Sequence, residues 1–356
     1  MAVLSLIADP QAYRACEWDL TDDPPGRTYW LNLFRTHIHT VARLLRCDPS
    51  AGRDARVDAF LDDYLRGLEI LDARPDAWGR LTVLKLTEYR QELQKRHGFD
   101  DPFAEIKARE TRKAIELYPG VVSRLDRLPE NEQMEALARG IFAGNEFDLG
   151  CEATTTRYHN DGHDFEEAMA RLPPRPWPED DLDAWCERVC RGPRYRRILF
   201  FVDNAGADAI LGCLPLARRL ARDGATVTLA ANSLPALNDI TAAELDAAIA
   251  RLRPADPILD AAVAEGRLCT VASGCGTPLI DLADVSDACN EAARGSDLII
   301  LEGMGRSVES NRSARFVCDA LWIALIKDAF VADRVGVPLF SPLWRFREAG
   351  TGDGRP

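Results

Sequence analysis

Apolar residues recur at helical spacing through the first 150 positions. Between Asp54 and Asp72 they fall at Val57, Phe60, Leu61, Tyr64, Leu65 and Leu68 with charges between them, the one-sided stripe of a packed surface helix. Leu81–His97, Ala104–Leu117 and Glu130–Phe142 follow the same rule, with Pro24-Pro25, Pro49 and Pro75 as punctuation. Leu172 to Asp181 is Pro-rich and acidic, which predicts a surface connector, and a short amphipathic helix follows over Leu182–Cys190. Beyond Arg197 the pattern changes to short unbroken apolar runs: Ile198–Val202, Thr226–Ala230, Leu268–Ala272, Leu298–Leu301 and Leu339–Ser341. Helical stretches separate or flank them at Asp208–Arg222, Ala242–Leu252, Val285–Ala293 and Ser313–Arg334. Continuous apolar strands joined by crossover helices predict an α/β fold with a mostly parallel sheet covered on both faces. The expected organisation is a helical N-terminal subdomain over 1–171, a connector over 172–196, an α/β domain over 197–349 and a frayed tail over 350–356.

Composition narrows the function classes. A chain of 356 residues with 46% hydrophobic content can build a real core. A net charge of -13 argues against a nucleic-acid binder that works by charge neutralisation. No apolar run reaches the ~20 residues of a membrane span, and Met1 to Pro10 lacks the basic region and apolar length of a secretory signal. The 10 Cys are scattered without a CxxC pair and read as the reduced thiols of a cytoplasmic protein. Cys186 and Cys190 read as half-buried helix thiols rather than a metal pair. Lysine is scarce, and beyond Lys113 only Lys327 remains. It sits in the apolar stretch Ile323–Lys327, either as an amphipathic boundary or as an inward-facing ammonium near an anion; its isolation favours the second.

The chemistry collects after the strands. In an open parallel sheet, ligands bind beyond the C-terminal strand ends. Those ends read Asp203-Asn204-Ala205-Gly206, Asn232 to Asp239, Ser273 to Thr277, and Glu302-Gly303-Met304-Gly305-Arg306. Asp203, Asn204 and Asp239 offer hard oxygen ligands suited to Mg²⁺ or Mn²⁺ and leave positions open for water and a phosphate oxygen. Taken singly, Asn238-Asp239 also reads as a helix N-cap and Asp203 as a turn carboxylate. Ser273 to Thr277 offers an anion nest or an ordinary turn. Arg306 offers a bidentate fork for phosphate or carboxylate. Asn145, Asn232, Asn238 and Asn311 are candidate orienting groups. All five His lie at or before His163, which disfavours His-based chemistry at these ends, and no G-x-S-x-G, G-x-G-x-x-G or Walker loop is present.

Five stretches in this order resemble the damage-control phosphatase family, the ARMT-like group also termed DUF89: AGNEFDLG (Ala143–Gly150), FVDNAGADAILGCLPLARRL (Phe201–Leu220), NSLPALNDIT (Asn232–Thr241), LEGMGRSVESN (Leu301–Asn311) and ALIKDAF (Ala324–Phe330). The likeness is to the subgroup with the Glu-Gly-Met-Gly-Arg signature, similar to the C-terminal phosphatase domain of pantothenate kinase four, and is clearest from Glu130 to Arg347. It implies a three-layer α/β/α core and a divalent ion (Mg²⁺, Mn²⁺, Co²⁺ or Ni²⁺) on Asp203, Asn204 and Asp239. It implies hydrolysis of small phosphomonoesters such as phosphopantetheine or sugar phosphates, with no nucleic-acid or membrane partner. Asp203, Asp239 and Lys327 would be catalytic. Arg306, Lys327, Asn145, Asn232, Ser273 and Asn311 would bind the substrate. The chain departs from the subgroup at Glu309-Ser310-Asn311 (usually His-Thr-Asn), at Trp322 (usually Lys), at Lys327-Asp328 (usually Lys-Asn) and at Leu149 (usually Trp). Loss of positive character at Glu309 and Trp322 supports an alternative: the same fold and metal turned to a lyase or other reaction on a non-phosphate substrate of a specialised biosynthetic pathway.

Overall fold

The apolar runs pair into one seven-stranded sheet in the computed structural model, which describes residues 1–47, 53–146, 165–191 and 194–350. The strands are β1 (Glu179–Asp180), β2 (Arg197–Phe201), β3 (Thr226–Ala231), β4 (Leu268–Ala272), β5 (Leu298–Glu302), β6 (Asp319–Leu325) and β7 (Pro342–Arg347), in the order β1-β7-β6-β5-β2-β3-β4. Strands β2 to β6 are parallel; β7 runs antiparallel to β6, and β1 parallel to β7. The chain moves from β2 out to β3 and β4, then returns to the other side of β2 for β5 and β6. The crevice between the ends of β2 and β5 is therefore the switch point at which such sheets bind ligands.

Strand alternation sorts the core. Ile198, Phe200 and Val202 face one helical layer, and Leu199 and Phe201 the other. The helices are α1 (Pro24–Arg46), α2 (Arg53–Ala73), α3 (Val83–Arg96), α4 (Ala104–Leu125), α5 (Glu130–Asn145), α6 (Phe165–Arg171), α7 (Leu182–Arg191), α8 (Leu214–Arg222), α9 (Ala242–Leu252), α10 (Pro257–Ala264), α11 (Asp287–Ala293) and α12 (Ala329–Val335). Helices α4, α5 and α7 to α10 pack on the first face. Helix α11 and the N-terminal segment, through Leu4, Leu6, Ile7 and Tyr13, pack on the second. Helices α1 to α3 form a third core with Met304, Ala324 and Ile326, and so sit over the C-terminal strand ends.

Four readings change. Ser313–Arg334, expected as a helix, is β6 followed by the short α12, because Asp319–Leu325 is buried at every position and carries no helical stripe. A short unbroken apolar run does not separate strand from buried helix by period alone. The strand expected at Leu339–Ser341 forms instead at Pro342–Arg347. Pro24-Pro25, read as punctuation, occupies the first turn of α1, where missing N–H groups cost nothing; the Asp23 side chain caps it by accepting from the Gly26 N–H at 3.1 Å. The expected connector carries β1 and α7, and its Trp177, Leu182 and Trp185 are buried.

Candidate active site

The loops after β2 and β3 are sewn together. Ile240 N–H donates to the Asp203 carbonyl (3.0 Å) and Ala205 N–H to the Asn238 carbonyl (2.8 Å). Asn204 and Asp239 form a one-residue antiparallel bridge between them. Asp239 is not the cap of α9: Thr241 caps it in a capping box with Glu244. The Asp239 side chain is thereby released to the site. Gly303, at φ 97°, lets the β5 loop pass against Asp203, where a Cβ would run into the carboxylate.

Asp203, Asn204 and Asp239 line the floor of a solvent-open cleft of about 770 Å³, the open space at its mouth included. Arg306, 1% exposed, bridges both carboxylates behind that floor: its fork donates to Asp203, to Asp239 Oδ2 (2.7 Å) and to Asn232 Oδ1 (3.1 Å). Burial opposes its charge, but Asp203 and Asp239 hold its pKa above the ordinary value. Asn232 Nδ2 also donates to Asp239 (3.0 Å). A second layer lies beneath. Asn145 Nδ2 donates to Asp208 (2.8 Å), Glu302 (2.9 Å) and Asp203 (3.3 Å). Lys327, 1% exposed and just beyond β6 rather than in a helix, donates to the Asn145 carbonyl (2.8 Å). Asn204 Nδ2 donates to Asp203 and Asp208 (3.1 and 2.9 Å), so its amide oxygen points the other way. Burial and then the Asp203 charge push Asp208 up to about 6; burial, Asp208 and Asp203 raise Glu302 well above its usual range.

Two donor sets suit a cation. One is Asp203, Asn204 and Asp239, all oxygen and facing the cleft. The other is Asp208, Cys213 and Glu302, whose donor atoms lie within 4.8 Å of one another and are fully buried. Burial and Glu302 push the Cys213 thiol well up, and it donates to Glu302 (3.4 Å).

The remaining expected residues lie elsewhere. Ser273 closes its own turn: its Oγ accepts from Cys275 N–H, the Gly274 N–H goes to Ser233 Oγ, and the Thr277 N–H to the Cys275 sulfur. Donors already engaged do not make an anion nest. Asn311 accepts from Tyr13 Oη (2.7 Å) and donates to the Ile280 and Arg306 carbonyls, so it braces the loop from behind. Trp322 packs on Phe316 on the opposite face and donates to the Asn311 carbonyl; it does not line the cleft. Glu309 and Asp328 do. Leu149 lies outside the described residues. The chain's own pattern contained signals for residues that strand-end reasoning passes over. Asp208 lies one turn beyond Asn204, and Arg90 falls on the buried face of α3 with Val83, Leu86 and Leu93. Helices α1 and α3 wall the cleft with Trp30, Phe34, Val83 and Arg90. Among the described residues no helix is long and apolar enough to cross a membrane.

The model of the damage-control phosphatase ARMT1-like domain matches residues 35–343. The chain is 38% identical to a damage-control phosphatase of Arabidopsis thaliana, over 94% of both chains. It is 32% identical to the 4'-phosphopantetheine phosphatase of Mus musculus, over 96% of this chain but 48% of that protein, so it spans about half the mouse protein's length. The solved structure of a DUF89 family protein from Pyrococcus horikoshii superposes with a TM-score of 0.60 at 18% identity, covering 89% of this chain and 97% of that one.

Proposed function

We propose, on the premise that this chain belongs to the damage-control phosphatase ARMT1-like family, that it hydrolyses small phosphomonoesters, phosphopantetheine-like or sugar phosphates, with a divalent ion on Asp203, Asn204 and Asp239. The observation that carries this reading is the convergence of two buried carboxylates and an amide oxygen from neighbouring strand ends at the floor of one cleft. The donor set is all oxygen, which fits Mg²⁺ or Mn²⁺ and leaves positions open. The Asp208–Cys213–Glu302 set fits less well, because it is fully buried, does not line the cleft, and includes a thiol that suits a softer ion.

Asp203, Asn204 and Asp239 would hold the ion, which would supply polarisation of the phosphoryl group and a bound water of lowered pKa. The chain's own groups do the positioning. Arg306 braces Asp203 and Asp239 in one geometry. Glu302 accepts the Asp203 N–H (2.9 Å) and fixes the β2 loop. Lys327 sets positive charge beside Asp208 and Glu302. Trp30, Phe34 and Val83 form an apolar wall that limits water.

Metal-stripped protein resupplied with Mg²⁺, Mn²⁺, Co²⁺ or Ni²⁺ is expected to release phosphate from a phosphomonoester panel, and Asp203→Ala to abolish release with every metal. No release from folded, metal-loaded protein would sink the reading. Glu309 in the cleft favours the second reading, a reaction on a non-phosphate substrate; Trp322, placed on the other face, no longer supports it.

A further inference from the structure

Every other deeply buried arginine that the structure shows in detail has matched partners. Arg218 holds Asp126 and Asp256, Arg219 holds Glu130, Asp223 and Gln133, and Arg306 holds Asp203, Asp239 and Asn232. Arg90 does not follow this pattern. It is 4% exposed, its Nε lacks a hydrogen-bond partner, and it forms no ion pair among the described residues. Its guanidinium lies over the Phe34 ring, 5.7 Å from the centroid, and lines the cleft that Asp203, Asn204 and Asp239 floor. A buried cation without a carboxylate is costly unless something else offsets it. The natural compensation is an anion that enters and leaves.

The two cations expected to take phosphate are placed differently. Arg306 and Lys327 do not line the cleft: one is engaged by the carboxylates and the other reaches the Asn145 carbonyl. Arg90 and His37 are the basic side chains that line it among the described residues. Arg90 and Asp239 line the same cleft, near enough for their charges to interact without an ion pair between them.

We infer that Arg90 is the residue that grips the phosphoryl oxygens of the substrate, a contact delivered from helix α3 to a metal site built on the sheet. The inference rests on the phosphatase reading for its ligand. A guanidinium donates two parallel N–H groups to one phosphate, and the Phe34 ring packs beside it. The rest of the substrate then lies along the neutral wall of Trp30, Val83 and Leu237.

The test measures binding of inorganic phosphate to the Mg²⁺-loaded full chain by calorimetry and by thermal shift. Wild type, Arg90→Met, Arg90→Lys and Asp203→Ala are compared, with turnover measured separately. Arg90→Met is expected to weaken phosphate binding by roughly 10- to 100-fold, with Arg90→Lys intermediate. The melting temperature without phosphate should stay level or rise in Arg90→Met, because a buried unpaired charge is replaced by an apolar side chain of similar volume. Phosphate affinity unchanged in Arg90→Met overturns the inference even if wild type turns over phosphomonoesters. Wild-type binding that is lost in Arg90→Met without any turnover supports Arg90 while removing the phosphatase reading. A fall in melting temperature with affinity retained would make Arg90 a structural residue and overturn the inference.

Discussion

Gly303 shows how little space the site leaves. Its φ of 97° is open to glycine and strained for other residues, and its Cα faces the Asp203 carboxylate. Gly303→Ala should therefore push Asp203 out of register with Asp239. We expect phosphate release to fall at least ~100-fold, on the scale of a 1 Å misplacement of a reacting group, with the fold intact by circular dichroism. Activity within a fewfold of wild type would show that the loop yields without moving the carboxylate. Gly144 has the matching role in the layer below, where a Cβ would meet the Asp208 Cα at 2.7 Å. That close approach brings Asn145 into reach of three carboxylates. Asp203, Asn204 and Asp239 were legible in the sequence because polar residues at the ends of apolar strands have few reasons to cluster. Arg90 and Asp208 were not, because helix phase shows which face a residue occupies but not what stands opposite. Ser273 and Asn311 had the right chemistry in the wrong surroundings: neighbouring backbone claims their polar atoms.

At the scale of elements, α8 is locked to its neighbours by charge. Arg218 donates to Asp126 beyond the end of α4 (2.8 and 2.7 Å) and to Asp256, the cap of α10 (2.6 Å), which also accepts from Tyr118 Oη. The Arg218 hydrogen bonds hold Asp126 below the usual carboxylate range. A folded pKa below the unfolded one gives stability that is fully present above about pH 4 and is lost as pH falls through the folded value. Arg218→Met is expected to cost about 3–5 kcal/mol at pH 7, since it strands a buried Asp256, and to flatten this acid-side loss. Denaturant melts at pH 7 and at about pH 2 measure both; an unchanged pH dependence would mean that Arg218 does not set the Asp126 charge. Strands β2 to β5 could be read from sequence because their apolar runs end in polar turns. Strand β6 could not: after Asp319 the run Ala-Leu-Trp-Ile-Ala-Leu is apolar on every side, which suits a central strand and a buried helix equally. That ambiguity also misplaced Lys327, which belongs to the strand-end edge.

For the whole molecule, the sheet and the N-terminal helices share cores. Helices α4 and α5 pack on the same face as β2, β3 and β5, and α1 to α3 pack against Ala324, Ile326 and Leu343. Calorimetry of the full chain should therefore give one cooperative endotherm. An early separate transition, with α1 to α3 melting first, would show that the cleft wall is an independent unit. The order of assembly has a further consequence during synthesis. Trp30, Phe34, Phe60 and Tyr64 leave the ribosome hundreds of residues before Ala324, Ile326 and Leu343, the partners that complete their burial. Through most of translation the future wall of the cleft is thus an adhesive apolar surface awaiting its mate.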